Sequence, residues 1–139
     1  MKTARWTLPV AIAIGALALL AWGVLDLRDP FDDAPFDRAA WVSGPPAVRT
    51  PMARAAASRL ERAMAESEVL RLLGPPDSEK QTRSYSGHFG EPFPSAASRT
   101  LRYDLDSGAR TSLMGLDDPF LYVHLNDAGL VVHAEIGGG

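Results

Sequence analysis

The chain has 139 residues, with 14 Lys+Arg against 17 Asp+Glu for a net charge of −3, and no cysteine. That length allows one small domain, and the missing cysteine excludes disulfide scaffolds, Cys-based zinc sites, thiol catalysis and lipidation through a Cys. There is no basic excess to support nucleic-acid binding, and 46% hydrophobic with 22% charged residues excludes bulk disorder.

Trp6 to Leu25 is a run of 20 residues without a charge. A helix of that length spans roughly 30 Å, the thickness of a bilayer core. Pro9 stands in the first turn, where its missing N–H matters least, and Trp6 and Trp22 fall at the two headgroup levels. Lys2 and Arg5 followed by an apolar run and Ala21-Trp22-Gly23 loosely fit a cleaved secretory signal. The length of the run and the Trp beside the cut favour an uncleaved signal-anchor over residues 1–25. Lys2 and Arg5 precede the run, whereas Asp26, Asp29, Asp32, Asp33 and Asp37 follow it with only Arg28 and Arg38 between. The positive-inside rule then predicts a single-pass protein of the bacterial inner membrane, N-terminus cytoplasmic and C-terminal domain periplasmic.

Residues 26–49 are rich in Asp and Pro and read as a stiff, extended tether. Phe31, Phe36 and Trp41 are too apolar for an idle linker, and Trp41 is expected to dock on the domain or on a partner. The folded domain is expected over 50–139. Thr50-Pro51 reads as an N-cap with Pro at N1, and Met52, Ala56, Leu60 and Ala63/Met64 recur at helical spacing. A second helix is predicted over Glu66 to Leu73, with Val69, Leu72 and Leu73 inward. Gly74 ends it: the residue after a helix often needs positive φ, and the residue before Pro75 avoids the right-handed helical region.

Residues 78–99 form a long Ser/Gly/Pro-rich loop, in which Lys80 to Tyr85 extend as a strand. Leu101 to Leu105 alternate as a half-buried strand, and Phe120–Leu125 and Leu130–Ile136 are two more. Asn126-Asp127-Ala128-Gly129 between them fits a type I turn closed by a left-handed glycine, Gly129. The implied register pairs Leu125 with Leu130, Val123 with Val132 and Leu121 with Ala134, facing the helices. Phe120, Tyr122, His124, Val131 and His133 then share the outer face with Glu135, Arg102 and Asp104. Two aromatics and a valine on an outer sheet face have the composition of a protein-binding surface. The competing expectation is that Phe31, Phe36 or Trp41 folds back over that face. Together these readings give an α+β fold: an N-terminal transmembrane helix, then two helices packed on a three-stranded antiparallel sheet in ααβββ order.

Met52, Leu60 and the block Met64-Ala65-Glu66-Ser67-Glu68-Val69-Leu70-Arg71-Leu72-Leu73-Gly74-Pro75-Pro76-Asp77 resemble the SmpA/OmlA (BamE-like) family of small bacterial envelope proteins. Phe36-Asp37-Arg38-Ala39-Ala40-Trp41 and the strand pair around Asn126-Asp127-Ala128-Gly129 resemble it too, so the likeness covers about residues 36 to 136. The resemblance implies the ααβββ fold, no catalytic activity, and a scaffolding role in envelope assembly through protein–protein interaction. Many members carry a lipidated Cys, for which the apolar run would substitute here.

No cofactor motif is present: there is no phosphate loop, dinucleotide fingerprint or Gly-x-Ser-x-Gly elbow. His124 and His133 on one face, with Glu135 near, offer too few fixed ligands to predict a metal site. The expected function is therefore a non-catalytic, membrane-anchored periplasmic protein-binding module, an accessory or assembly factor of an envelope complex. Its partners would be a protein of the cell envelope and the membrane itself. Two alternatives are an accessory subunit of an inner-membrane respiratory or photosynthetic complex, and a small periplasmic metal-binding or hydrolytic protein using His124, His133 and Glu135.

Overall fold

The computed structural model describes residues 30–31, 33–81, 97–106, 108 and 118–138. The expected anchor over 1–25 and most of the loop 78–99 lie outside them. Among the described residues no helix is long and apolar enough to cross a membrane.

The fold is α+β. Short helices α1 (Arg38–Ser43), α2 (Pro46–Arg49) and α3 (Ala53–Ala57), with a 3-10 turn at Thr50–Met52, precede α4 (Glu66–Leu73). Strands β1 (Ser78–Gln81), β2 (Arg99–Asp104), β3 (Pro119–Leu125) and β4 (Val131–Gly138) make an antiparallel sheet in the order β1-β2-β3-β4. The sheet has four strands rather than the expected three. The polar β1, Ser-Glu-Lys-Gln, has no alternation of its own and is held as a strand by pairing Ser78 with Arg102 and Gln81 with Arg99.

The stretch expected as extended tether is helical from Arg38 onward. Asp37 caps α1 by accepting the Ala40 N–H at 3.1 Å, and one turn on Trp41 is fully buried in the core. The core joins Trp41, Met52, Ala53, Ala56, Val69 and Leu73 of the helical layer to Leu101, Tyr103, Leu121, Val123, Leu125 and Val131 of the sheet, with Phe31 and Phe36 packed at its edge. Trp41 meets Tyr103 at 6.2 Å between ring centroids, so the aromatic side chains of this segment lie on the helix side and do not cover the outer sheet face.

The helix expected after Thr50 ends at Ala57 rather than near Met64. Residues 63–65 leave the helical path to line the sheet: the Ala63 N–H donates to the Val131 carbonyl at 2.8 Å, and the Val131 N–H to the Met64 carbonyl at 2.9 Å. These bonds hold Ala63 at φ +68°, an unusual conformation for a residue with a β-carbon. Thr50 is not an N-cap: its own backbone is helical, and its Oγ1 accepts the Asp106 N–H at 2.8 Å, tying the helical layer to the end of β2. Asp77 makes a second tie, accepting from Arg49 Nη1 at 2.6 Å and from the Asp104 N–H at 2.8 Å.

α4 runs over Glu66–Leu73 as the sequence predicts, with Val69 and Leu73 buried. Glu68 Oε2 reaches back to the Ala65 N–H at 3.3 Å, and Gly74 follows at φ +75°. The β3–β4 turn also matches: Gly129 sits at φ +72°, and Asn126 Oδ1 accepts the N–H groups of Ala128 and Leu130.

The register beyond that turn differs from the expectation. Leu125 pairs with Val131, His124 with His133, Val123 with Ala134 and Leu121 with Ile136, with an irregularity between His124 and Leu125. Val132 is the extra residue of a β-bulge, which shifts the facing of one residue relative to the rest of the strand. Val131, expected on the outer face, therefore turns into the core.

Candidate outer-face site

Strand pairing lines up three rungs on the sheet face away from the helices. Lys80, Thr100, His124 and His133 form the first, Ser78, Arg102, Tyr122 and Glu135 the second, and Asp104, Phe120 and Gly137 the third. The aromatic side chains of β3 stack along the strand. Phe120 and Tyr122 are 5.7 Å apart, and Tyr122 and His124 6.2 Å apart at 16°. His124 and His133 lie 6.2 Å apart across the strands at 5°.

The face divides in two. Thr100, Tyr122 and His124 are buried, at 2%, 3% and 0% exposure. Phe120 and Arg102 are half-buried, while His133 and Glu135 are exposed, with half and 46% of their side-chain surface open. Of the five outer-face residues expected to bind a partner, Phe120 and His133 are accessible, Tyr122 and His124 are enclosed, and Val131 lies on the other side of the sheet. The burial of the Tyr122 and His124 side chains is a tertiary property, which the alternation of apolar and polar residues along β3 does not reveal.

His124 is bracketed by two hydrogen-bond partners. Thr100 Oγ1 is 2.7 Å from Nδ1, and Glu135 Oε1 is 2.9 Å from Nε2. Burial, opposed by the Glu135 carboxylate and aided by His133, lowers the His124 pKa below its ordinary value. A neutral imidazole facing an acceptor-only carboxylate places its proton on Nε2, so the Thr100 O–H donates to Nδ1. Hydroxyl, imidazole and carboxylate stand in the order of a nucleophile relay. Thr100 is 2% exposed, and the three groups form a hydrogen-bonded polar row. Glu135 Oε2 also lies 3.8 Å from His133 Nε2. Among the described residues no group of three or more His, Cys, Asp or Glu side chains is placed to hold a metal ion.

The accessible strip is built around Arg102, whose guanidinium carbon lies 4.3 Å from the Phe120 ring centroid while its Nε is 3.2 Å from Asp104 Oδ1. The sequence singled out Phe120, Arg102 and Asp104 but not Thr100. Its role depends on the β2–β3 register, and no short turn between those strands fixes that register in advance.

No family model, curated protein or solved structure matches this chain.

Proposed function

We propose that this chain is a non-catalytic, membrane-anchored protein-binding module of the bacterial envelope, with its folded body on the periplasmic side. The single observation that carries the binding reading is the accessible strip of Arg102 over Phe120, flanked by Asp104, Glu135 and His133. Arginine and aromatic side chains held in one geometry before a partner arrives lose little entropy on binding, and they dominate interface energetics. The polar groups around them supply the rim. The anchor reading rests on the uncharged run from Trp6 to Leu25 and on the charge asymmetry about it.

The BamE-like likeness supports an accessory or assembly role. It now leans on the α4 block closed by Gly74 and on the Asn126–Gly129 hairpin, both present in the fold. Strand β1 and the helical 38–49 segment are additions to the expected ααβββ pattern.

Two experiments test the parts separately. Fractionation with intact-mass measurement should find the full-length chain in the membrane; a soluble product beginning near residue 24 sinks the anchor. Affinity purification from native membranes should recover a partner with the wild-type chain and lose it, by tenfold or more, with Arg102→Glu or Phe120→Ala. A melting temperature close to wild type is the control that separates lost binding from lost folding. A partner that stays bound to both variants at wild-type yield removes the strip from the interface.

A further inference from the structure

We propose that the second half of β4 pairs edge to edge, antiparallel, with the same stretch of a second copy of this chain, joining two four-stranded sheets into one. The directions of the peptide groups identify the stretch. At the two ends of β3, the Leu125 carbonyl accepts the Ser98 N–H at 2.8 Å and the Pro119 carbonyl accepts the Leu105 N–H at 3.1 Å, both on the β2 side. Peptide groups alternate in direction along an antiparallel strand, so Phe120, Tyr122 and His124 turn theirs toward β4, to Gly137, Glu135 and His133. Ala134, Ile136 and Gly138 then direct their N–H and C=O groups out of the sheet edge, a row of donors and acceptors that templates a further strand.

The two edges of the sheet differ. β1 shows Glu79, Lys80 and Gln81, all exposed, and a charged edge with a lysine discourages pairing. β4 is closed at its start, where Ala63 and Met64 bond to Val131 and Ala65 bridges to Leu130. Among the described residues no backbone group bonds to its outer side beyond that point. The stretch from Ala134 to Gly138 has no proline and no lysine. On the helix side it carries Ala134 and Ile136, both half-buried, with Ile136 packed against the core.

A second copy fits this edge best in one register. With the two-fold axis at Ile136, Ala134 faces Gly138 of the second copy, Ile136 faces its own counterpart, and Glu135 faces Gly137. Every outward peptide group then has a partner, the two Ile136 side chains extend one core into the other, and no charge directly opposes its like. An axis at Glu135 sets that carboxylate against itself. An axis at Ala134 brings Gly138 of the second copy opposite Leu130, where Ala65 already stands. The axis at Ile136 is normal to the sheet, so both helical layers fall on one side, and with them both Phe31 segments, each held to Arg54 of α3. Two chains anchored in one bilayer, the reading proposed above, need that shared direction.

Cysteine cross-linking of the full-length protein in detergent tests the register, since the chain has no cysteine of its own. Ile136→Cys should form a disulfide-linked dimer on mild oxidation, because residues facing each other in a hydrogen-bonded pair lie about 5.5 Å apart at Cα, within disulfide reach. Ala134→Cys alone should not link, its counterpart lying too far along the strand, but should link to Gly138→Cys chains mixed with it. A β-carbon at Gly138 meets nothing within 4 Å. Gly137→Glu, whose β-carbon would lie at an ordinary 3.5 Å from the Tyr122 ring, should raise the dissociation constant of the dimer about tenfold through two facing carboxylate pairs, as read by sedimentation. Four results each overturn the pairing: a wild-type chain that sediments as a monomer from about 1 µM to 1 mM, Ile136→Cys that links no more than Asp127→Cys in the exposed turn, Ala134→Cys that links to itself as readily as Ile136→Cys, or a Gly137→Glu dimer as tight as wild type.

Discussion

Trp41→Ala is expected to destabilise the protein by about 3–5 kcal/mol, the range for removing a buried large aromatic. Against a total stability of about 5–15 kcal/mol for a domain of this size, that is a large share, and the melting temperature should fall by roughly 15 °C or more. The indole is the joint of the helical layer. It meets Phe36 at 5.8 Å and Tyr103 at 6.2 Å, the Arg49 guanidinium lies over it at 5.9 Å, and its own carbonyl accepts the Arg49 Nε–H at 2.9 Å. The Trp41 Nε1–H is buried without an acceptor. Trp41→Phe therefore keeps the aromatic contacts and removes an unsatisfied donor, so its cost should be well under half that of alanine. Denaturant melts of the two variants check the order; equal losses, or a Trp41→Ala protein as stable as wild type, would mean that residues 38–43 are not integral to the core.

Gly74→Val is the second large effect. Gly74 sits at φ +75°, ψ −172°, a region that is essentially glycine's alone, and placing a side chain there costs roughly 1–3 kcal/mol in backbone strain. The strain has no easy release. The Gly74 N–H donates to the Leu70 carbonyl at 2.9 Å, and its own carbonyl accepts the buried Tyr103 O–H at 3.0 Å. Burial raises the Tyr103 pKa, so the phenol remains a donor at all working pH values. A β-carbon would lie 3.1 and 3.3 Å from the two Val42 methyls, and crowding there adds about another 1 kcal/mol. The measurement is again the equilibrium melt, with Gly74→Ala as the smaller step. An unchanged melting temperature for Gly74→Val would show that the glycine is conformationally idle.

What the sequence disclosed followed from signals contained within a few residues. Gly74 before Pro75 ended α4 at the observed place, because both constraints on that residue are local. Asn126-Asp127-Ala128-Gly129 specified its turn for the same reason. Val131 was misplaced because a one-residue bulge leaves the apolar-polar alternation nearly intact while reversing which face a residue meets. The strand expected at Lys80 to Tyr85 begins two residues earlier, at Ser78, because Ser78-Glu79-Lys80-Gln81 has no periodicity to mark it; its partner strand, some twenty residues away, makes it a strand. Pro45 and Pro46 suggested an extended tether, yet Pro46 occupies the first turn of α2, where a proline is well accommodated. The Thr100–His124–Glu135 row was the least legible part, since its members come from three strands whose mutual register depends on tertiary pairing.

The docking of Phe31 and Ala34 sets how far this protein can range. Arg54 Nη1 donates to the Phe31 carbonyl at 2.9 Å and lies over its ring, and the Ala34 N–H donates to the Pro51 carbonyl at 3.1 Å. Were all of 26–49 a free leash, the body could stray roughly 80 Å from the bilayer; from Leu25 to a pinned Phe31 the chain reaches about 22 Å at most. In a chain whose 6–25 run spans the membrane, as proposed above, the body is confined to a thin layer over the lipid. Encounters with another protein of the same membrane then take place within that layer, where confinement raises the effective concentration and lets a weak contact hold. A partner that stands far above the bilayer is out of range whatever its affinity.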